Sequence, residues 1–344
     1  MLVRPRSWLS ATQNRGTRLR VSAAHDEWNH VGITLAAMEE GFFAEEDLTD
    51  LEVIAFPEED TAELLDREAV QVDLLAKGVV DIAIDPRTTF VLEARDRGQP
   101  TCIVAARRKN HAFVVVGQKD LDGLEDLRGK TASINAEGGA TDVMLRQVLK
   151  DSGLEPDKDV KFTYTGGDMH DSNRTVEEFR AGRGGPVMLT TFKNEIEGLV
   201  KEGYPILADL RVLYPSRHDR VTGANLEFAE RNPEVVKGFL KGMIRGCNWV
   251  LDPSNATKFK EILVEVGYLT TQREERNFDG LFEAWQTRVS RNLTLPQDGI
   301  ELIIKEEKKA GKISPSLQPQ DVLRLASLEQ AQRELNLEPA AVSD

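Results

Sequence analysis

The chain has 344 residues, 40% of them hydrophobic, with a net charge of −14 and a pI near 5.0. That length allows two domains, and that acidity speaks against a nucleic-acid partner, because phosphate binding needs a basic face. No apolar run approaches the roughly 18 residues of a membrane span, and Cys102 and Cys247 lack the spacing of zinc ligands and read as small core residues.

The N-terminal stretch "MLVRPRSWLSATQNRGTRLR" carries five Arg and no acid. It lacks the apolar core, of roughly 7–15 residues, that a secretory signal needs. Residues 1–17 read as a flexible start. From Arg18 short apolar runs alternate with helical patterns. "RLRVSAA" reads as a strand. "HVGITLAAMEEGFFAEE" reads as a helix, with Val31, Leu35, Met38 and Phe42 on one face. "LEVIAF" is a strand, "AVQVDLLAKG" a helix stopped by glycine, "VDIAID" a strand, "PRTTFVLEARDRG" a helix opened by Pro86, and "TCIVAA" a strand. The order βαβαβαβ marks a parallel sheet covered on both faces. Between Ala37 and Asp73 stand 14 Asp or Glu, with Arg67 the one base. This run reads as a solvated surface or as a docking face for a basic partner.

After "RRKNH" the pattern restarts. "AFVVVGQ", "TASIN", "VKFTYTGG" and "PVMLTT" read as strands, with helices in "ATDVMLRQVLKD", "NRTVEEFRAG" and "NEIEGLVKEG". "YPILADLRVLYP" reads as a strand with an extended tail, closing a second α/β unit near residue 213. From Asn232 five helical segments follow, each opened by Asn, Ser, Thr, Asp or Pro: "NPEVVKGFLKGMIRGCNWVLD", "SNATKFKEILVEVG", "TTQREERNFDGLFEAWQTRV", "DGIELIIKEEKKAG" and "PQDVLRLASLEQAQRELNL". The fold class is therefore α/β. Residues 18–108 with 214–337 form lobe I, 109–213 form lobe II, and 338–344 are a loose tail.

Ligands of open α/β sheets sit beyond the carboxyl ends of strands. Applied here, that rule selects loops at His25–Asn29, Asp85–Thr88, Asn135–Thr141, Gly166–His170 and Thr190–Phe192, lining a cleft between the lobes. In "HDEWNH", His25 or His30 beside Asp26 or Glu27 can exchange protons near neutral pH, and Trp28 can shelve an apolar ligand. The competing reading has Asp26 or Asn29 capping the helix and Trp28 packing at the edge of the lobe. In "DPRTT", Arg87 suits a carboxylate, sulfonate or phosphate, Thr88 offers a hydroxyl, and Asp85 ends the strand; alternatively these residues only start the helix. Arg107, in "RRKNH", would attract an anion. In "SINAEGGATDV", Asn135, Glu137, Gly138, Gly139 and Thr141 surround a turn with free backbone N–H groups. Thr141 or Asp142 can cap the helix that follows, and no nucleotide-binding glycine pattern is present. Asp168 and His170 lie in "GGDMHDSN", and Thr190 follows a strand of lobe II. No cofactor is expected, and metal binding lacks converging ligands.

Six segments in order carry a family resemblance: "AAMEEGFFAEEDLTDLEVI", "LLAKGVVDIAI", "DLDGLEDLRGKTASI", "VLKDSGLEPDKDVKF", "EGYPILADLRVLYP" and "FAERNPEVVKGFLKGMIRGCNWVLDPSNA". Over residues 18 to 270 the chain resembles nitrate/sulfonate/taurine-type solute-binding proteins of ABC transporters, in the thiamine pyrimidine synthase-like superfamily. The resemblance implies the two-lobed periplasmic-binding fold of type II, ligand contacts in the His25–Asn29 loop, and capture of a small anionic or aromatic molecule for a permease and its ATPase. It implies a periplasmic or cell-surface location, whereas the N-terminus as written suits the cytoplasm. The fold is also that of enzymes, among them aromatic desulfinases and a decarboxylase. A cytoplasmic lyase or hydrolase acting on an aromatic acid, with His25 or His170 as proton donor, is the alternative. The chain departs from the family in "EEFRAGRGGPVMLTTF", where the acidic residue of the usual "L-x-x-G-x-V-D-A" stretch is lost and Arg183 and two glycines take its place, and it lacks the cysteine-rich motif of the pyrimidine synthases.

Overall fold

The computed structural model describes residues 2–3, 18–23, 28–55, 64–109, 113–165, 172–218, 220–269 and 272–337. The chain divides into two compact units. Unit 1 comprises Met1–Lys109, Ser216–Thr270 and Val289–Asp344, and unit 2 comprises Asn110–Pro215 and Thr271–Arg288.

The first part of unit 1 runs β1 (Leu2–Val3), β2 (Leu19–Ala23), α1 (Trp28–Glu39), β3 (Leu51–Ala55), α2 (Leu64–Ala76), β4 (Ile82–Arg87), α3 (Thr88–Asp96) and β5 (Thr101–Ala105). Unit 2 follows with β6 (Val114–Gly117), β7 (Thr131–Ile134), α4 (Ala140–Asp151), β8 (Lys161–Tyr164), α5 (Ser172–Arg180), β9 (Val187–Thr190), α6 (Lys193–Lys201), β10 (Ile206–Asp209) and α7 (Leu210–Leu213). The chain returns through β11 (Arg220–Asn225), α8 (Leu226–Arg231), α9 (Pro233–Val250) and α10 (Ala256–Glu265). It then makes α11 (Gln272–Arg288), α12 (Gln297–Lys309), α13 (Pro319–Val322) and α14 (Ala326–Glu334).

Unit 1 holds a six-stranded sheet in the order β1-β3-β2-β4-β11-β5. Its centre, β3-β2-β4, is parallel, as the alternating pattern requires. On one face lies α1, buried from Trp28 through Met38 because α9 and α10 cover its outer side. Helices α1 and α9 approach closely: a Cβ at Gly246 would stand 2.8 Å from the Ala37 Cβ and 3.0 Å from the Ile33 carbonyl oxygen. A separate core of Val72, Val91, Leu92, Ile103, Val221, Ile300, Ile303 and their neighbours joins the strands to α2, α3 and α12.

The sequence reading contains no counterpart to β11. This strand enters antiparallel between β4 and β5, so β5 hydrogen-bonds to β11 rather than to β4. "RVTGAN" hides the strand behind a glycine and polar residues, yet all six are buried. Gly223 is needed for space, because a Cβ there would lie 3.1 Å from Leu75 Cδ2 and 3.3 Å from Pro86 Cγ.

In unit 2, β6 sits between β10 and β9 in an antiparallel sheet. Its alternation divides the core: Val115 faces the cluster with Leu145, Val148 and Leu149 of α4, while Val114 and Val116 face Phe179, Ile196 and Leu199. Strands β7 and β8 form a separate parallel pair. Gly184, Gly185 and Pro186, in the stretch that departs from the family pattern, lead into β9. Gly185 has φ +82° and passes so close to β7 that a Cβ would stand 3.1 Å from Ser133 N.

Three further expectations are corrected. The tail after β10 is the short helix α7, opened by Asp209, whose carboxylate accepts from Arg211 N–H. The last helical segment breaks into α13 and α14, because Leu323 bridges to Ile103 and Arg324 N–H donates to the Ile103 carbonyl at 2.9 Å. Helix α11, assigned to lobe I from sequence, belongs to unit 2. There Gly280 packs on the Phe192 ring, Glu283 pairs with Lys193 at 3.1 Å, and Arg288 reaches Thr191 Oγ1 at 3.5 Å. Cys102 and Cys247 are both buried and unpaired with each other, and burial pushes both thiols up to about 12.

Replacing Gly223 with Val puts atoms where Leu75 and Pro86 already stand. We expect G223V to lower unfolding stability by about 1–3 kcal/mol, read from urea midpoints; an unchanged midpoint would refute the packing argument for this strand.

Candidate functional site

The polar residues of unit 1 converge at the carboxyl end of β4. The register between β4 and β11 shifts there, Arg220 facing Arg87 and Thr222 facing Ile84, so β4 carries one extra residue. Asp85 occupies the irregularity with φ 52°, in the left-handed region that Asp tolerates better than most residues. It is 1% exposed. Its carboxylate receives Arg107, through Nη2 and through Nε at 3.3 Å, and Arg108 Nη2 at 3.3 Å. His30 Nδ1 lies 3.7 Å from Asp85 Oδ2. Arg107 Nη2 also donates to the Asn29 carbonyl at 3.0 Å, which ties the first turn of α1 to the end of β5. Arg220 Nη1 donates to the Asp85 carbonyl at 3.0 Å. Burial drives the Asp85 carboxyl upward, but the charges of Arg107 and Arg108, the Arg107 hydrogen bond and Arg220 outweigh it and hold the group below the usual carboxylate range.

A second buried carboxylate completes the arrangement. Glu68 of α2, fully buried, receives Arg87 Nε at 2.6 Å and the Arg220 guanidinium. One turn on, Gln71 Nε2 donates to the Ser22 carbonyl at 2.9 Å and the Ile84 carbonyl at 3.0 Å, so α2 clasps the ends of β2 and β4. Four guanidinium groups thus gather around two carboxylates. Arg108 is the most accessible, at 14% of its side chain, against 8% for Arg87 and Arg220 and 1% for Arg107.

The structure therefore brings together Asn29, His30, Asp85, Arg87 and Arg107 of the sequence candidates, and adds Arg220 from β11. Thr88 opens α3, fully buried. Trp28 is 6% exposed and meets the Phe259 ring edge-on at 6.1 Å between centroids, which is the packing alternative weighed from sequence. His25, Glu27, Asp168 and His170 lie outside the described residues. Sequence reading missed Glu68 and Gln71. The available signal was an acid four and seven residues before Val72 and Leu75, on the buried stripe of α2.

In unit 2 the Asn135–Thr141 turn is held by its own side chains. Thr141 Oγ1 donates to Asn135 Oδ1 at 2.6 Å, and Gly138 N–H donates to Asp142 Oδ2 at 2.9 Å. Gly139 is the N-cap of α4, without a side-chain cap, so neither Thr141 nor Asp142 takes that position. The Asp142 carboxylate places a negative charge in the first turn of α4 and is bonded to Arg146 Nε at 2.8 Å. Glu137 is exposed beside it. Thr190 spends its hydroxyl locally: it donates to Glu195 and accepts from Phe192 N–H at 3.2 Å.

Three acids of the run, all among the described residues, pair with bases of unit 1. Glu40 meets Lys258 at 2.6 Å, Glu45 meets Arg245 at 2.7 Å, and Glu46 meets Lys241 at 2.7 Å. A groove of about 900 Å³ between α12 and the α13–α14 segment shares no lining residue with the Asp85 cluster. Among the described residues, no group of three or more His, Cys, Asp or Glu is placed to hold a metal ion.

Comparison with known proteins agrees with this architecture. The family model described as NMT1/THI5 like matches residues 27–256. No curated protein matches the sequence. Among solved structures, the periplasmic sulfonate-binding protein SsuA from Methylobacillus flagellatus KT superposes with a TM-score of 0.66 at 17% identity, covering 95% of this chain and 97% of that one. The periplasmic nitrate-binding protein NrtA from Synechocystis PCC 6803 gives 0.62 at 16% identity, over 94% and 90%. A mutant of DSZB in complex with biphenyl-2-sulfinic acid gives 0.61 at 12% identity, over 92% and 100%. The fold is the α/β periplasmic-binding fold that these proteins share.

Two consequences of the buried charges are measurable. Removing the Glu68 charge leaves Arg87 and Arg220 facing each other without their shared partner, so E68Q should lose about 3–5 kcal/mol in denaturant titration; a loss under 1 kcal/mol would mean the pairing is incidental. Asp85 titrates lower when folded than when unfolded. The unfolded chain therefore takes up that proton first, and this share of stability, present above about pH 4, is lost as pH falls through the folded value. D85N should flatten the fall in urea midpoint below pH 4; an equally steep fall would place the acid sensitivity elsewhere.

Proposed function

The chain belongs to the NMT1/THI5-like family, and from that premise we propose that it is a solute-binding protein that captures a small oxyanion, of the sulfonate or nitrate class, for ABC import. The observation that supports this most directly is the gathering of Arg107 and Arg108 with Asn29 and His30 at strand ends in unit 1, where ligands of open α/β sheets sit. Arg87 and Arg220 serve as scaffold, because Glu68 holds both guanidinium groups. Arg108 is the ligand-facing cation, being the most accessible of the four, and a guanidinium matches the paired oxygens of such an anion. In unit 2 the Asn135–Thr141 turn offers hydroxyl, amide and backbone groups rather than an anion cradle, since the Asp142 carboxylate stands in the first turn of α4 and takes the Gly138 N–H. The partners of such a protein are a permease and its ATPase. Among the described residues no helix is long and apolar enough to cross a membrane.

A second reading, an enzyme acting on an aromatic acid, draws on the His30–Asp85 approach at 3.7 Å and on the structural likeness to a protein seen with biphenyl-2-sulfinic acid. In this reading His30 would trade a proton with a substrate while Asp85 balances its charge.

Calorimetric titration with nitrate, ethanesulfonate and benzenesulfinate separates the two. We expect wild type to bind one of them with micromolar affinity and leave it unchanged, and R108A to bind it about 10- to 100-fold more weakly, the loss of a charge-assisted hydrogen bond. Failure to bind any of the three would sink the capture reading, and consumption of benzenesulfinate followed by NMR would select the enzyme.

A further inference from the structure

We propose that the turn Val289–Thr294 is a positioning device that holds the Arg107–Arg108 pair on Asp85. This deepens the oxyanion reading of the same site and rests on it. Three consecutive backbone positions at the end of β5 are held by this one turn. Ala106 N–H donates to the Leu293 carbonyl at 3.0 Å, Ser290 N–H donates to the Arg107 carbonyl at 2.6 Å, and Arg108 pairs with Val289 in an antiparallel bridge.

The turn is built at a cost. Leu293 has φ 59° and is 1% exposed. A branched apolar residue takes that conformation only where its surroundings compel it, and such strain concentrates at functional sites. The compelling contacts are visible. Ser290 Oγ accepts from Thr294 N–H at 3.0 Å and donates to Asn292 Oδ1 at 2.9 Å. Gln332 of α14 donates to the Asn292 carbonyl at 2.9 Å and reaches Thr294 Oγ1 at 3.3 Å. Asn248 of α9 donates to the Arg291 carbonyl at 2.9 Å, and Arg291 Nη2 donates to the Leu251 carbonyl at 3.0 Å. Two helices thus brace the turn from behind, and the turn braces the main chain of both arginines.

Long side chains alone would not keep two guanidinium groups on one carboxylate; their anchor points must also be fixed. Residues 289–294 lie beyond residue 256, where the family match ends, so the device belongs to the C-terminal part of this chain.

The test uses full-length S290A, which removes the internal fastening of the turn without touching either arginine, and Q332M, which keeps volume and removes only the outer brace. The readout is the titration midpoint of His30, followed by NMR and assigned with H30Q. If the arginines loosen from Asp85, His30 feels a less compensated carboxylate, and its midpoint rises by about half a pH unit or more. In the same variants, the ligand that wild type binds from the nitrate, ethanesulfonate and benzenesulfinate set should bind about tenfold more weakly. An unmoved His30 midpoint in a folded variant would overturn the positioning role, whatever happens to binding. A shifted midpoint in a protein whose wild type binds none of the three would support the positioning role and reject the oxyanion reading.

Discussion

The carboxyl ends of the strands in unit 1 depend on the seating of one buried carboxylate. Asp85 sits where β4 carries its extra residue, in a left-handed backbone, with almost no exposure. A lone charge in such a place would cost several kcal/mol. It is tolerated because Arg107 and Arg108 arrive from the end of β5 and Arg220 secures its carbonyl. The insertion of β11 makes that possible: an antiparallel strand between β4 and β5 brings Arg220 alongside Arg87. Like charges facing each other across a strand pair are unfavourable, and Glu68 turns the pair from a repulsion into a bridge. Sheet order and charge pairing are therefore one constraint.

The local elements of the fold were legible because they are written in periodicity. Strands β2 to β10 and the long helices follow from alternation, glycine stops and helix starts, and the family segments order them. What was not legible is non-local. Strand β11 looks like a loop because its burial comes from neighbours on both sides rather than from apolar side chains of its own. The place of α11 depends on Gly280 accepting the Phe192 ring, a fit between residues far apart in sequence. At the site, Asp85 and Arg87 follow from their strand-end positions and Arg107 from the basic run after β5. Their division of labour does not, because it is set by Glu68, a buried acid on a helix face otherwise read as core.

The acidic run shows the same gap between composition and structure. Fourteen acids against one base suggest a bare negative surface, but bases that pair with three of them, Glu40, Glu45 and Glu46, lie about 200 residues on, in α9 and α10. Each such pair, partly exposed, is worth little in isolation. Together they lie across the α1–α9 contact that small residues such as Gly246 make close. The described pairs tie this part of the run into unit 1, while the Asp85 cluster is a separate, buried gathering of charge.

Arginine at such a cluster does two kinds of work that sequence cannot separate. A guanidinium held by a fully buried carboxylate is scaffold, since breaking that pair to greet a ligand would expose both charges to an unfavourable environment. A guanidinium at the edge of the cluster, sharing a carboxylate already held by a neighbour, gives up less by turning outward. On the proposed function Arg87 fits the first description and Arg108 the second, a difference that follows the exposure of each side chain. The fold is shared by proteins crystallised with or named for nitrate, sulfonates and a sulfinic acid, so it does not choose among oxyanions. The choice must come from side chains at the rim, and a rim cation discriminates only if its backbone cannot drift. On the proposed function the strain held at Leu293 makes physical sense: a long, flexible side chain can hold a small anion in one geometry only if its main chain is fixed.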